Sequence, residues 1–358
     1  MGFFKKHTVP EIEIKLPEDW NRLTISQLED VSRIMIAHAK RYSSTGRYSQ
    51  ALLFTEVFFA LSGLEVIVKG VDKKGFEYYD CQFADADKRN SLQNIDGAIR
   101  PIRIKAEDIV IVTCLMSDYV DKKDKPVIPK GGLNWLLRPS NIVAFPYPEI
   151  SIVDKSTSRK NRKTVEFRGP LYLAQDFSWR QYRNATEFMS YLARVENRLV
   201  AMTKNVDKYG EESVRKMDAR VRHARAQFLA TLFSRKIWHI DRETGQKVFD
   251  FQYVTSQSSE NERFFIDFPE EKFQCVSLWW QGLMQYLSRK YPKVFKKESV
   301  GSADEDPLSV YTRSTTTMIK YTSSNEEQVN NTTYTIILQH INDMAEENER
   351  IEKIKNNK

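Results

Sequence analysis

Leu16-Pro17-Glu18-Asp19-Trp20-Asn21-Arg22-Leu23-Thr24-Ile25-Ser26-Gln27-Leu28 punctuates the beginning of the chain. The alternating Ile12, Ile14 and Leu16 read as an extended strand, and Pro17, which lacks a backbone N–H, stops it. Trp20 follows as a docked aromatic. Thr24 and Gln27 have the three-residue spacing of a capping box, which satisfies two otherwise orphan backbone N–H groups. Leu28, Val31, Ile34 and Met35 then recur at helical spacing, so a helix is expected over 25–38.

Working outward, a second helix is expected over 48–61, with Gly63 as its C-terminal glycine. A hairpin over 66–79 turns at 72–75, and 99–104 alternates as a short strand. The apolar run 106–119 is rich in β-branched residues, but its length and its Glu107-Asp108 start favour helix. Five prolines and Gly131-Gly132 make 126–148 an extended connection. Long helices are expected over 186–204 and 211–235, with a turn at Tyr209-Gly210, and a hairpin over 237–254. Pro269 and Pro292 bracket a helix over 270–290, since proline suits the first turn and cannot continue a helix. The polar stretch 301–307 reads as a linker to two helices over 308–321 and 326–354. The expected fold is α+β and mainly helical, with small hairpins and a C-terminal helical pair. Three segments are expected: 1–150, 164–298 and 307–358.

The net charge of +7 is unevenly placed. Residues 151–300 carry 28 basic and 18 acidic groups, whereas 301–358 carry 6 and 10. A basic middle beside an acidic tail suits a nucleic-acid surface or pairing between subunits. Cys81, Cys114 and Cys275 are isolated in apolar contexts and read as buried free thiols. No apolar stretch follows Lys5 and Lys6, so no secretory leader is expected. No run approaches the roughly 18 apolar residues of a membrane span.

Motifs of chemistry are missing. His7, His38, His223, His239 and His340 lie far apart, and no two cysteines have metal-ligand spacing. The stretch from Asp85 to Asn90 begins like a calcium loop but has Asn90 where the turn requires glycine. Glycine-rich phosphate loops and nucleophile elbows do not occur. No cofactor, metal or catalytic residue is expected.

Two groups of residues remain as candidates. Lys155, Arg159, Lys160, Arg162 and Lys163 place five positive charges in nine residues, among hydroxyl and amide side chains and without an acid. That chemistry suits contact with a phosphate or with an acidic partner, although a solvated loop has the same composition. The basic helix carrying Arg215, Lys216, Arg220, Arg222, His223 and Arg225 wraps its charges around the axis, as a solvated amphipathic helix does. Trp279 and Trp280 are adjacent, and neighbours on a helix point about 100° apart. One core cannot take both, so one is expected to anchor a contact with another domain or subunit.

The order Leu16-Pro17, Trp20, Leu23-Thr24, Gln27-Leu28 resembles the opening of a family of uncharacterised tail-region and virion-assembly proteins of phages and prophages from Bacteroidetes-type bacteria. The two C-terminal helices resemble that family's short helical module. The resemblance implies a structural or assembly protein, chaperone-like roles included, that acts through protein–protein interfaces. Its implied partners are other phage structural proteins or further copies of itself, in the host cytoplasm during assembly or in the virion, without membrane insertion. The matching residues are structural in that reading. The residues leave two alternatives open: a nucleic-acid-associated or packaged cargo protein using the basic middle region, and an enzyme whose site has no recognised motif.

Overall fold

A computed structural model describes residues 14–46, 49–90, 101–113, 132–155, 162–241, 243–254, 258–295, 307–322 and 324–356. The fold is α+β and mainly helical, with two small antiparallel sheets. The chain divides into two units, Met1–Ser140 and Asn141–Lys358. No helix among the described residues is long and apolar enough to cross a membrane.

The first unit starts with a 3₁₀ turn, Trp20–Arg22, and helix α1, Ile25–Thr45. Thr24 and Gln27 form the expected capping box, and Gly46 closes α1 in the left-handed region at φ 66°. Helix α2, Gln50–Ser62, is capped by Ser49 and buries Leu53, Phe54, Val57, Phe58 and Leu61. The buried His38 of α1 meets Glu56 of α2 at 2.9 Å. Strands β1, Leu64–Val71, and β2, Glu77–Phe83, form the hairpin, and Asp72 accepts the N–H groups of Lys74 and Phe76 at its turn. Short helix α3, Ala86–Asn90, starts where Asp85 accepts the Asp87 and Lys88 N–H groups, so the calcium-like beginning is a helix cap. Strand β3, Ile102–Lys105, pairs with β2, and helix α4, Ala106–Thr113, follows.

The expected N-terminal strand does not form over residues 14–16, and Ile12 lies outside the described residues. The Pro17 carbonyl instead accepts from the Trp135 indole at 2.8 Å. Trp20 is buried edge-on against Trp135, with ring centroids 4.8 Å apart, so its main partner comes from the proline-rich connection.

The second unit holds strands β4, Glu149–Val153, and β5, Thr164–Arg168, then helices α5, Trp179–Thr203, α6, Val206–Tyr209, and α7, Glu211–Leu232. Strands β6, Ser234–Ile240, and β7, Lys247–Gln252, complete a four-stranded sheet in the order β4-β5-β6-β7. Helices α8, Ser258–Phe265, and α9, Glu270–Lys290, come next, with α9 spanning the expected residues. Helices α10, Pro307–Thr322, α11, Glu326–Asn331, and α12, Tyr334–Asn356, end the unit.

Three expectations change here. The C-terminal helices are no separate module. The Trp179 indole donates to Thr315 of α10 at 2.9 Å, and Ser178 bridges to Thr333. Tyr334 stacks on Tyr182 at 4.8 Å and donates to the Leu173 carbonyl at 2.7 Å. That bridge interrupts the long helix expected over 326–354, because Thr332 and Thr333 leave helical geometry to meet α5. The third change concerns Trp279 and Trp280, which are 0% and 4% exposed. Helix α9 is covered on two sides, so residues 100° apart both find cores. Trp279 packs edge-on to Phe145 at 4.7 Å and donates to the Val143 carbonyl. Trp280 meets Phe228 of α7 at 5.5 Å and Tyr182 of α5 at 6.2 Å. Neither is available as an interface anchor. Gly282 fits the same close packing, since a Cβ there would stand 2.1 Å from the Ile142 carbonyl oxygen.

Candidate functional site

Two sheet surfaces are open, and register explains both. In the second unit Phe167 of β5 is fully buried against Phe264 and Phe265 and stands directly opposite Arg235 of β6. Side chains alternate across a strand, so Phe167 turns Arg235, Ile237 and His239 toward the packed side of the sheet. Lys236, Trp238 and Ile240 therefore take the outer face, joined by their β7 partners Phe251, Phe249 and Lys247. Trp238 is 62% exposed and Ile240 69%, although they are among the most apolar residues of the hairpin.

This outer face is organised. The rings of Trp238 and Phe249 lie 5.1 Å apart. Lys247 stands over Trp238 at 5.6 Å, and Lys236 over Phe249 and Phe251 at 5.5 and 5.6 Å. Arg168 of β5 stands over Phe251 at 5.1 Å, and its Nε has no hydrogen-bond partner. Lys236 also donates to Glu166 at 2.6 Å, a hydrogen bond that raises the ammonium above its ordinary pKa. Beyond Ile240, Asp241 accepts from the Glu243 and Thr244 N–H groups and the Thr244 hydroxyl, while Gly245 takes φ 66°. The Thr244 bonds hold the Asp241 carboxyl below the usual carboxylate range. The hairpin tip is thus pinned by its own side chains.

Of the five basic candidates, Arg159 and Lys160 lie outside the described residues. Lys155 pairs with Asp267 at 2.7 Å, which lowers the Asp267 carboxyl, while Arg162 and Lys163 are exposed just before β5. Strand β5 runs antiparallel to β6, so its start and the β6–β7 turn occupy the same end of the sheet. The basic helix α7 behaves otherwise. Arg215, Lys216, Arg222 and Arg225 all have acidic partners, and His223 meets Glu262 at 2.6 Å.

The first unit opens along an edge. Strand β1 is the outer strand of its sheet, and Val66, Ile67, Val68 and Val71 are all exposed. A register shift between Val66 and Val68 leaves Ile67 as a bulge. On β2, Cys81 is buried and its thiol is pushed up to about 11, chiefly by that burial. Asp80 takes a bidentate pair from Arg103 at 2.7 and 2.8 Å, which holds its carboxyl below the usual range. Among the described residues no cluster of His, Cys, Asp or Glu is arranged to hold a metal.

The open aromatic face was not among the candidates drawn from sequence. Its signal was present, because Trp238, Ile240 and Phe249 share one side of the hairpin. Apolar residues on one side ordinarily mark the buried side, and only Phe167, on a different strand, reverses that assignment. Comparisons with family models, with curated proteins and with solved structures find no match.

Proposed function

We propose that this chain is a phage or prophage structural or assembly protein of the tail or virion, working by protein–protein association through the outer edge of β1. The edge strand is the observation that supports this reading. Natural sheets blunt their edges with charge, proline or a covering element, because unpaired N–H and C=O groups recruit other strands. Here the bulge at Ile67 is such a device, yet four branched aliphatic residues stay exposed along eight residues of edge. Pairing of two such edges would unite two sheets by main-chain hydrogen bonds and cover the aliphatic side chains. The opening from Leu16 to Leu28, with its resemblance to tail-region proteins, adds the phage assignment.

Sedimentation velocity over a concentration series tests the association. The natural chain should form dimers or larger species, and a Val68→Lys, Val71→Lys variant with unchanged circular dichroism should stay monomeric. A natural chain that is monomeric throughout, or a charged-edge variant that associates equally well, would overturn the reading. The phage assignment has its own check: the gene should sit beside genes for tail structural proteins.

A further inference from the structure

We propose that the outer face of the β4–β7 sheet binds single-stranded nucleic acid, with bases stacking on Trp238 and Phe249 and phosphates meeting the cations around them. Three observations converge on this ligand. First, the aromatics lie on an open, four-stranded antiparallel face, where unpaired bases can be laid flat. A duplex keeps its base faces stacked inside and cannot use such a platform. Second, cations stand around the rings: Lys247 beside Trp238, Lys236 beside Phe249 and Phe251, and Arg168 beside Phe251. The acids on this face are Glu149 on β4, directly opposite Arg168, and Glu166 on β5, which is already paired with Lys236, so Lys247, opposite Ile240, is the cation left for phosphate oxygens. Third, the exposed Arg162, on the outer side by the same alternation, lies at the same end of the sheet as the β6–β7 turn and adds positive charge there.

The combination selects against the other occupants. An acidic peptide would use the cations and leave the indole and phenyl faces in water. An apolar protein surface would cover the rings and desolvate Lys247 without pairing it. A single strand supplies both π-faces and anions at the spacing of successive nucleotides. This surface belongs to the second unit and the β1 edge to the first, so either proposal can fail alone.

The test is fluorescence anisotropy of labelled oligothymidylate and oligouridylate with the full chain, at about 50 mM and about 200 mM salt. Binding should weaken with salt, with a log–log slope of about −0.7 for each phosphate engaged. A duplex of equal length should bind more weakly. Trp238→Ala and Phe249→Ala should each weaken binding by about five-fold or more, and Trp238→Phe should retain most of it. Lys247→Ala should flatten the salt slope by about 0.7. The Val68→Lys, Val71→Lys variant should bind like the natural chain. No binding at the lower salt would overturn the proposal. So would full affinity in a Trp238→Ala, Phe249→Ala double variant that keeps its circular dichroism. Loss of self-association in that double variant would give the face to a protein partner and would equally overturn it.

Discussion

The two sheets place their exposed apolar groups differently. The three-stranded sheet of the first unit buries Tyr79 and Cys81 and leaves its outermost strand, β1, lined with aliphatic side chains. The four-stranded sheet of the second unit buries Phe167 and leaves the β6–β7 half of its outer face lined with aromatics and cations. An open edge offers unpaired main-chain groups, whose natural complement is another strand. An open face has its main chain already paired and offers only side chains, so its complement is set by ring and charge. That difference is why the two proposals name different partners, a strand for the edge and unpaired bases for the face.

The largest expected effect comes from the residue that sets the second sheet's orientation. Phe167→Ala should destabilise the second unit by about 3–5 kcal/mol, read from the denaturant midpoint. A loss under about 1 kcal/mol would mean that register is fixed elsewhere. Gly282→Ala should cost about 1–3 kcal/mol, because the new methyl meets backbone of the segment that feeds β4. A neutral result would show that this segment can move away from α9.

A smaller effect sharpens the first sheet. The Asp80 carboxyl is held below its unfolded value of about 3.9 by Arg103, so the ionised pair contributes its full stability above that value. As pH falls below it, the unfolded chain takes up the proton first. The contribution shrinks and is gone once pH passes under the folded pKa. Asp80→Asn should therefore be less stable than the natural chain at pH 7, with the gap closing on acidification. A gap that does not change with pH would place the effect in packing.

The smallest effect is diagnostic. Trp238→Ala should change stability by no more than about 0.5 kcal/mol, as expected for an exposed side chain. A loss of several kcal/mol would mean the face is covered and would end the contrast between the sheets.

Local signals were legible wherever a few neighbouring residues decide the outcome. Thr24 with Gln27, Gly63, and Pro269 with Pro292 marked helix ends correctly, because caps and prolines act within one turn. Strands β4 and β5 escaped notice. Each is five residues long, carries charge, and owes its pairing to partners rather than to its own composition. Helix α8 is similar: its polar Ser258 to Arg263 conceals a docking pair, Phe264 and Phe265. The division into units turned on Trp179, Thr315 and Tyr334, whose contacts span more than a hundred residues of sequence. The open face depended on the longest inference of all. The hairpin reveals which side is apolar, but only Phe167, some seventy residues earlier in the chain, reveals which side is outside.

The chain has six tryptophans; strand alternation exposes Trp238, while the other five lie in helices and 3₁₀ turns and are buried by packing. Long-wavelength emission and quenching by iodide should therefore report one residue, at the centre of the aromatic face. Any ligand that settles there should shift that emission to the blue and shield it from iodide. The protein thus carries a built-in optical probe at the centre of that face.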